Sequence, residues 1–156
     1  MGTVVFLVRF ALGLLLVVAG VLKAHDGPMA TATSIAGYRL LPPTVVAPLG
    51  VALPYIEILL GGYLVLGFFT RIAATVAAMQ FGVFSLAIAS LVVRHIASDC
   101  GCFGSAIATP PSWWHVAVDV ALVAAAAFVA RGAPGSYALD RVLGTGGTAA
   151  LQRETS

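Results

Sequence analysis

Residues 3–22 read TVVFLVRFALGLLLVVAGVL, a twenty-residue run broken by a single charge, Arg9. A helix that crosses the hydrocarbon core of a bilayer needs about 20 mostly apolar residues, and this run supplies them. Three more such runs follow, at 45–69, 72–93 and 113–130. Between them they use up most of the 156 residues, leaving room for one domain with short connections. The composition agrees. Sixty per cent of the chain is hydrophobic, only 9% is charged, and the mean hydropathy is +1.04. A water-soluble surface carries roughly 25% charged residues, so this chain cannot cover one. The expected fold is an all-α membrane protein, a four-transmembrane-helix bundle, with residues 1–131 forming the membrane domain.

The first run also has the look of a signal peptide, being N-terminal and apolar. Its charge sits inside the apolar stretch rather than ahead of it, no small-x-small cleavage site follows, and further spans come after it. The second run carries Pro48 and Pro54 in its first half, which predicts bends that neighbouring helices must accommodate. Between the first two runs, Met29, Ile35, Tyr38 and Leu41 recur at near-helical spacing until Pro42-Pro43 stops them. This stretch is expected to form a short interfacial helix between spans 1 and 2. Residues 132–156, with Gly144-Thr145-Gly146-Gly147, read as a flexible cytoplasmic tail.

Four spans put both ends of the chain on one side. If that side is the cytoplasm it holds Arg71, Arg131, Arg141 and Arg153, against Lys23, Arg39 and Arg94 opposite, the bias expected of cytoplasmic loops. The predicted location is the cell (inner or plasma) membrane, with the loop between spans 3 and 4 on the outer face. The net charge of +2, with no basic run, gives nothing to track phosphates, so nucleic acid is not an expected partner.

The outer loop contains the chain's only two cysteines, in Ser98-Asp99-Cys100-Gly101-Cys102-Phe103-Gly104. A disulfide closed across one residue makes a small ring, and Gly101 is the residue type able to take whatever backbone angles that ring requires. A loop this short stabilises a fold little, whereas disulfides that are easily reduced serve catalysis. Arg94, His95 and Lys23 would favour a thiolate and Asp99 would oppose it. Cys100 and Cys102 are therefore the candidate catalytic pair, exchanging disulfides with an exported thiol client. His115 and Asp119, four residues apart on the fourth span, share a face. They suit either a proton relay for thiol oxidation or an internal bond that holds the loop. Phe103, Trp113 and Trp114 would suit a flat cofactor such as a quinone, although tryptophan at a span end is ordinarily an interfacial anchor. Arg9 and Glu57 are the other buried charges, expected either as a structural ion pair or as part of a site for a quinone head group or substrate, and Gln80 could join either arrangement. Two other classes of function stay open. Two thiolates with a nearby histidine also suit a soft metal such as Cu(I) or Hg(II), and the chain could be a non-catalytic membrane anchor for a redox partner.

With these residues in view, the chain resembles the DoxX-like superfamily over roughly residues 5–130. The likeness is closest to its redox-associated branch named after the methylamine-utilisation protein MauE. It is carried by Arg9, Ala19-Gly20 and Lys23, by Leu53-Pro54-Tyr55-Ile56-Glu57 and Gly61-Gly62, by Arg71, by Cys100-Gly101-Cys102-Phe103-Gly104, and by Trp113 and Asp119. The resemblance implies extracytoplasmic thiol–disulfide metabolism, a thioredoxin-like partner, and an architectural likeness to quinone-linked disulfide-forming membrane enzymes. Those enzymes commonly use two cysteine pairs. This chain has one, which must either serve both partner and quinone or pass electrons between proteins.

Overall fold

Glycine and proline set the register of the first two long helices. In the computed structural model, which describes residues 2–96, 110–133 and 138–139, helix α1 (Gly2–Asp26) runs antiparallel to α3 (Pro43–Leu66). A Cβ added at Gly13 would lie 2.8 Å from the Gly61 carbonyl oxygen, and one at Gly61 would lie 2.6 Å from that of Gly13. One turn-pair further on, a Cβ at Gly20 would lie 2.6 Å from the Pro54 carbonyl oxygen. No larger residue permits backbones this close, which is how small residues drive helix association where the hydrophobic effect is absent. Gly62, next in sequence, meets nothing within 4 Å and plays no part in the contact.

Helix α3 starts at Pro43, where the missing N–H costs nothing. It ends at Gly67, whose φ of 69° is the left-handed conformation that closes a helix. The amides of Gly67 and Phe68 both reach back to the Tyr63 carbonyl. Only residues 67–69 separate this end from α4 (Thr70–Val93), so α4 returns antiparallel. Helix α5 (Trp113–Gly132) packs along α4, and its Gly132 sits against Val5 at the start of α1. The four long helices thus run up, down, up and down, with α1 on α3 and α4 on α5 as the two intimate pairs. Leu12, Leu16, Leu60, Leu64, Ala74, Ala77, Phe81 and Val129 fill the centre.

The short helix α2 (Pro28–Gly37) follows α1 after Gly27 and crosses the first half of α3, where Ala32 occupies the space left by Gly50. Past its end, the Tyr38 carbonyl accepts a hydrogen bond from the Arg94 guanidinium at 3.1 Å. It therefore spans three helix ends as a roof. Its Thr33 and Ser34 hydroxyls are bonded to the carbonyls of Met29 and Ala30, which satisfies them inside the helix.

Polarity runs inside-out. Arg9, Lys23, Glu57 and Asp119 are buried, while Leu7, Leu59, Val83 and Leu86 are 58–74% exposed. Water would not tolerate that arrangement, and hydrocarbon demands it. All four long helices are long and apolar enough to cross a membrane. The observed bounds match the expected spans to within a turn, except that α1 continues to Asp26 and places Lys23 inside the helix. Of the expected tail, Gly132 closes α5, Ala133 caps it, and Ala138 and Leu139 are also described. Ala138 is buried, with its Cα beside Gly67.

Candidate functional site

Glu57 lies near the middle of α3, and its carboxylate accepts from the Lys23 ammonium at 2.7 and 2.8 Å. Gln80 of α4 donates to the same carboxylate at 3.2 Å. Lys23 and Glu57 are almost wholly buried, with side chains 3% and 1% exposed. Three helices are thus tied through one carboxylate at mid-membrane depth.

The expected partner of Glu57 was Arg9, and this is corrected. The glycine register pairs residues whose numbers sum to 74, so Glu57 stands level with residue 17 of α1. Lys23 is six residues above that level and Arg9 eight below, about 9 and 12 Å along the axis. Side chains lean toward the N-terminus of their own helix. Lys23 and Glu57, on antiparallel helices, lean toward each other, while Arg9 leans away. The Arg9 guanidinium goes instead to the α3–α4 turn, where it fills the space a Cβ on Gly67 would need, and lies 5.4 Å from the Phe6 ring centroid. Gln80 joins Glu57, as one of its two expected roles. Lys23, expected to bias the cysteines toward thiolate, bonds the Glu57 carboxylate.

At the roofed end of the bundle, Ser112 precedes α5 in an extended conformation. Its hydroxyl lies 2.8 Å from His115 Nδ1 rather than capping the helix, and its carbonyl accepts from the His115 amide at 3.0 Å. The ring orientation of His115 is thereby held. Asp119 lies one turn deeper and is buried. Trp113 and Trp114 are 60% and 73% exposed, which is the placement of interfacial anchors. Cys100, Cys102 and Phe103 lie outside the described residues. The residues flanking them, Ile96 after α4 and Pro110 before α5, are at the same end as α2 and His115. No group of three His, Cys, Asp or Glu able to hold a metal occurs among the described residues.

The geometry defines a multi-pass membrane protein with a charged centre at mid-span and a cysteine-bearing segment joining the last two helices. The family model of methylamine utilisation protein MauE matches residues 1–132. The chain belongs to this family. No curated protein and no solved structure matches the chain significantly.

The signal that would have found Lys23 was present. Gly13 and Gly20 are seven apart, as are Pro54 and Gly61, and matching those two spacings in an antiparallel pair gives the register directly.

Proposed function

We propose that this protein is a membrane thiol–disulfide oxidoreductase or electron relay, working through Cys100 and Cys102 on the extracytoplasmic face of the cell membrane. Its termini lie in the cytoplasm, and its partner is a thioredoxin-like protein or an exported thiol client. The DoxX-like likeness of the sequence belongs to the same reading. One observation carries it: the only two cysteines fall in the segment that joins the end of α4 to the start of α5, at the same end of the bundle as the held His115.

In the oxidising direction, a partner thiolate attacks one sulfur of the Cys100–Cys102 disulfide. The S–S bond breaks, a mixed disulfide forms, and the other cysteine leaves as thiolate. A second partner thiolate then attacks the mixed disulfide. The partner gains a disulfide and the pair is left as two thiols, with two electrons and two protons transferred. In this reading His115 exchanges the proton, with Asp119 one turn deeper on α5.

The test is a trapping experiment. Cys100→Ser and Cys102→Ser variants are expressed in membranes and run on non-reducing gels. One of the two is expected to hold a mixed disulfide with an exported protein, released by reductant. If neither variant traps a partner and both support normal disulfide formation in exported proteins, the proposal fails.

A further inference from the structure

Beneath α2, between α3 and α4, is a cavity of about 640 Å³. That volume falls in the range of small-molecule sites, which are mostly apolar and lie between the helices of bundles. Leu53 and Ile56 wall one side, Phe84 and Ala87 the other, and Ile35 of α2 with Tyr38 just past its end close the top. Val83 and Leu86, which also line it, are 63% and 74% exposed, so the cavity is open sideways to the bilayer. It extends along α4 from Ser90 to Gln80, about 15 Å.

Its inner end is what distinguishes it from a lipid crevice. Gln80 lies ten residues from Thr70 and thirteen from Val93, near the middle of the span. A carboxylate only accepts, so the amide nitrogen of Gln80 must face Glu57. That leaves a carbonyl and a second N–H on a residue that lines the cavity. A phospholipid brings only methylene groups to this depth and cannot use them. Behind the same wall the Lys23 ammonium lies 5.6 Å from the Phe84 ring centroid. That charge is compensated by the Glu57 carboxylate, so the groups this end offers an occupant are those of Gln80. The occupant called for is an apolar molecule, soluble in hydrocarbon, that carries a hydrogen-bonding group able to meet Gln80 at mid-span.

We propose that this cavity binds a lipid-soluble quinone, with a ring oxygen against Gln80 and the prenyl chain leaving between α3 and α4. The choice of a quinone rests on the thiol-oxidation reading, in which a single cysteine pair must hand its electrons on. The balance closes: two thiols release two protons and two electrons as one S–S bond forms, and the quinone takes up both to become a quinol. The site differs from the sequence expectation at Phe103, Trp113 and Trp114, and the two exposed tryptophans line no part of it.

The full chain in quinone-free phosphatidylcholine nanodiscs is titrated with a short-tailed ubiquinone analogue, and an azido derivative of it is photolysed and its attachment mapped. Saturable binding is expected, with label on residues 80–90 or 35–41. Gln80→Leu should weaken binding about tenfold, the effect of one hydrogen bond in an apolar site, and Ala87→Trp should abolish it. The Cys100→Ser/Cys102→Ser variant should bind like the unaltered chain, so that binding without trapping of a partner would sink the redox reading and leave the site standing. Partitioning no greater than into empty discs would overturn the proposal. So would label confined to other helices, or equal competition by an alkylbenzene lacking ring oxygens. Mapping on the unaltered chain needs no variant to fold.

Discussion

Replacing Lys23 with methionine leaves the Glu57 carboxylate buried with Gln80 as its remaining partner shown here. Breaking a buried ion pair from one side costs about 3–5 kcal/mol, because the surviving charge has lost its compensation. Methionine fills nearly the same volume, so little of that loss comes from packing. Glu57→Gln should cost less, since an amide still bonds to lysine, while the Lys23→Met/Glu57→Leu double variant removes both charges and should fall close to neutral. With Glu57→Leu, which strands the buried lysine and costs a similar amount, as the other single variant, the coupling in that cycle is then about 6 kcal/mol or more. Arg9→Met combined with Glu57→Gln provides the contrast. Those sites do not touch, so their effects should add to within about 0.5 kcal/mol. The assay is reversible unfolding of the purified chain in mixed micelles, with helicity and a fluorescence probe read over a denaturing-detergent series. Additivity for Lys23 and Glu57, or a strong coupling between Arg9 and Glu57, would refute the register and the lean of the side chains on which the reasoning rests.

Two neighbouring glycines should behave in opposite ways. Gly61→Val drives a side chain into the α1 backbone and should destabilise by about 3 kcal/mol or more, whereas Gly62→Ala meets open space and should stabilise by about 0.5–1 kcal/mol; the same unfolding series compares them. Gly67→Ala combines a positive φ with a collision against the Arg9 guanidinium and should cost about 2–3 kcal/mol, a loss that Gly67→Ala/Arg9→Met should partly recover.

The spans were legible because length and apolarity are local properties. Pro43 and Gly67 even mark the ends of α3 in the sequence. The charged centre was not, and the reason is directional. Arg9 and Lys23 both lie within reach of Glu57 if only depth is considered, and the choice between them depends on which way each side chain leans. That follows from the antiparallel register, which the glycine spacings encode but composition does not. Gln80 was recognised as a possible member and took that place. The cavity was invisible for another reason: its walls come from α2, α3 and α4, and no spacing along one helix reports a gap between three. His115 and Asp119 fall on one helix at i and i+4, so their common face was readable.

The bond between Lys23 and Glu57 also has a bearing on how the chain enters its membrane. Each intramembrane charge opposes insertion of its own helix, by about 2.5–3.5 kcal/mol at mid-depth for lysine or arginine. The neutralising carboxylate is 34 residues later. At the pace of synthesis that is a delay of roughly two to seven seconds. During that interval α1 carries two cations and no acid beyond Asp26 at its last residue. Its high apolarity, the greatest of the four spans, is what lets it wait. The arrival of α3 then converts two separately marginal segments into one hairpin, so that the insertion machinery releases them together rather than singly.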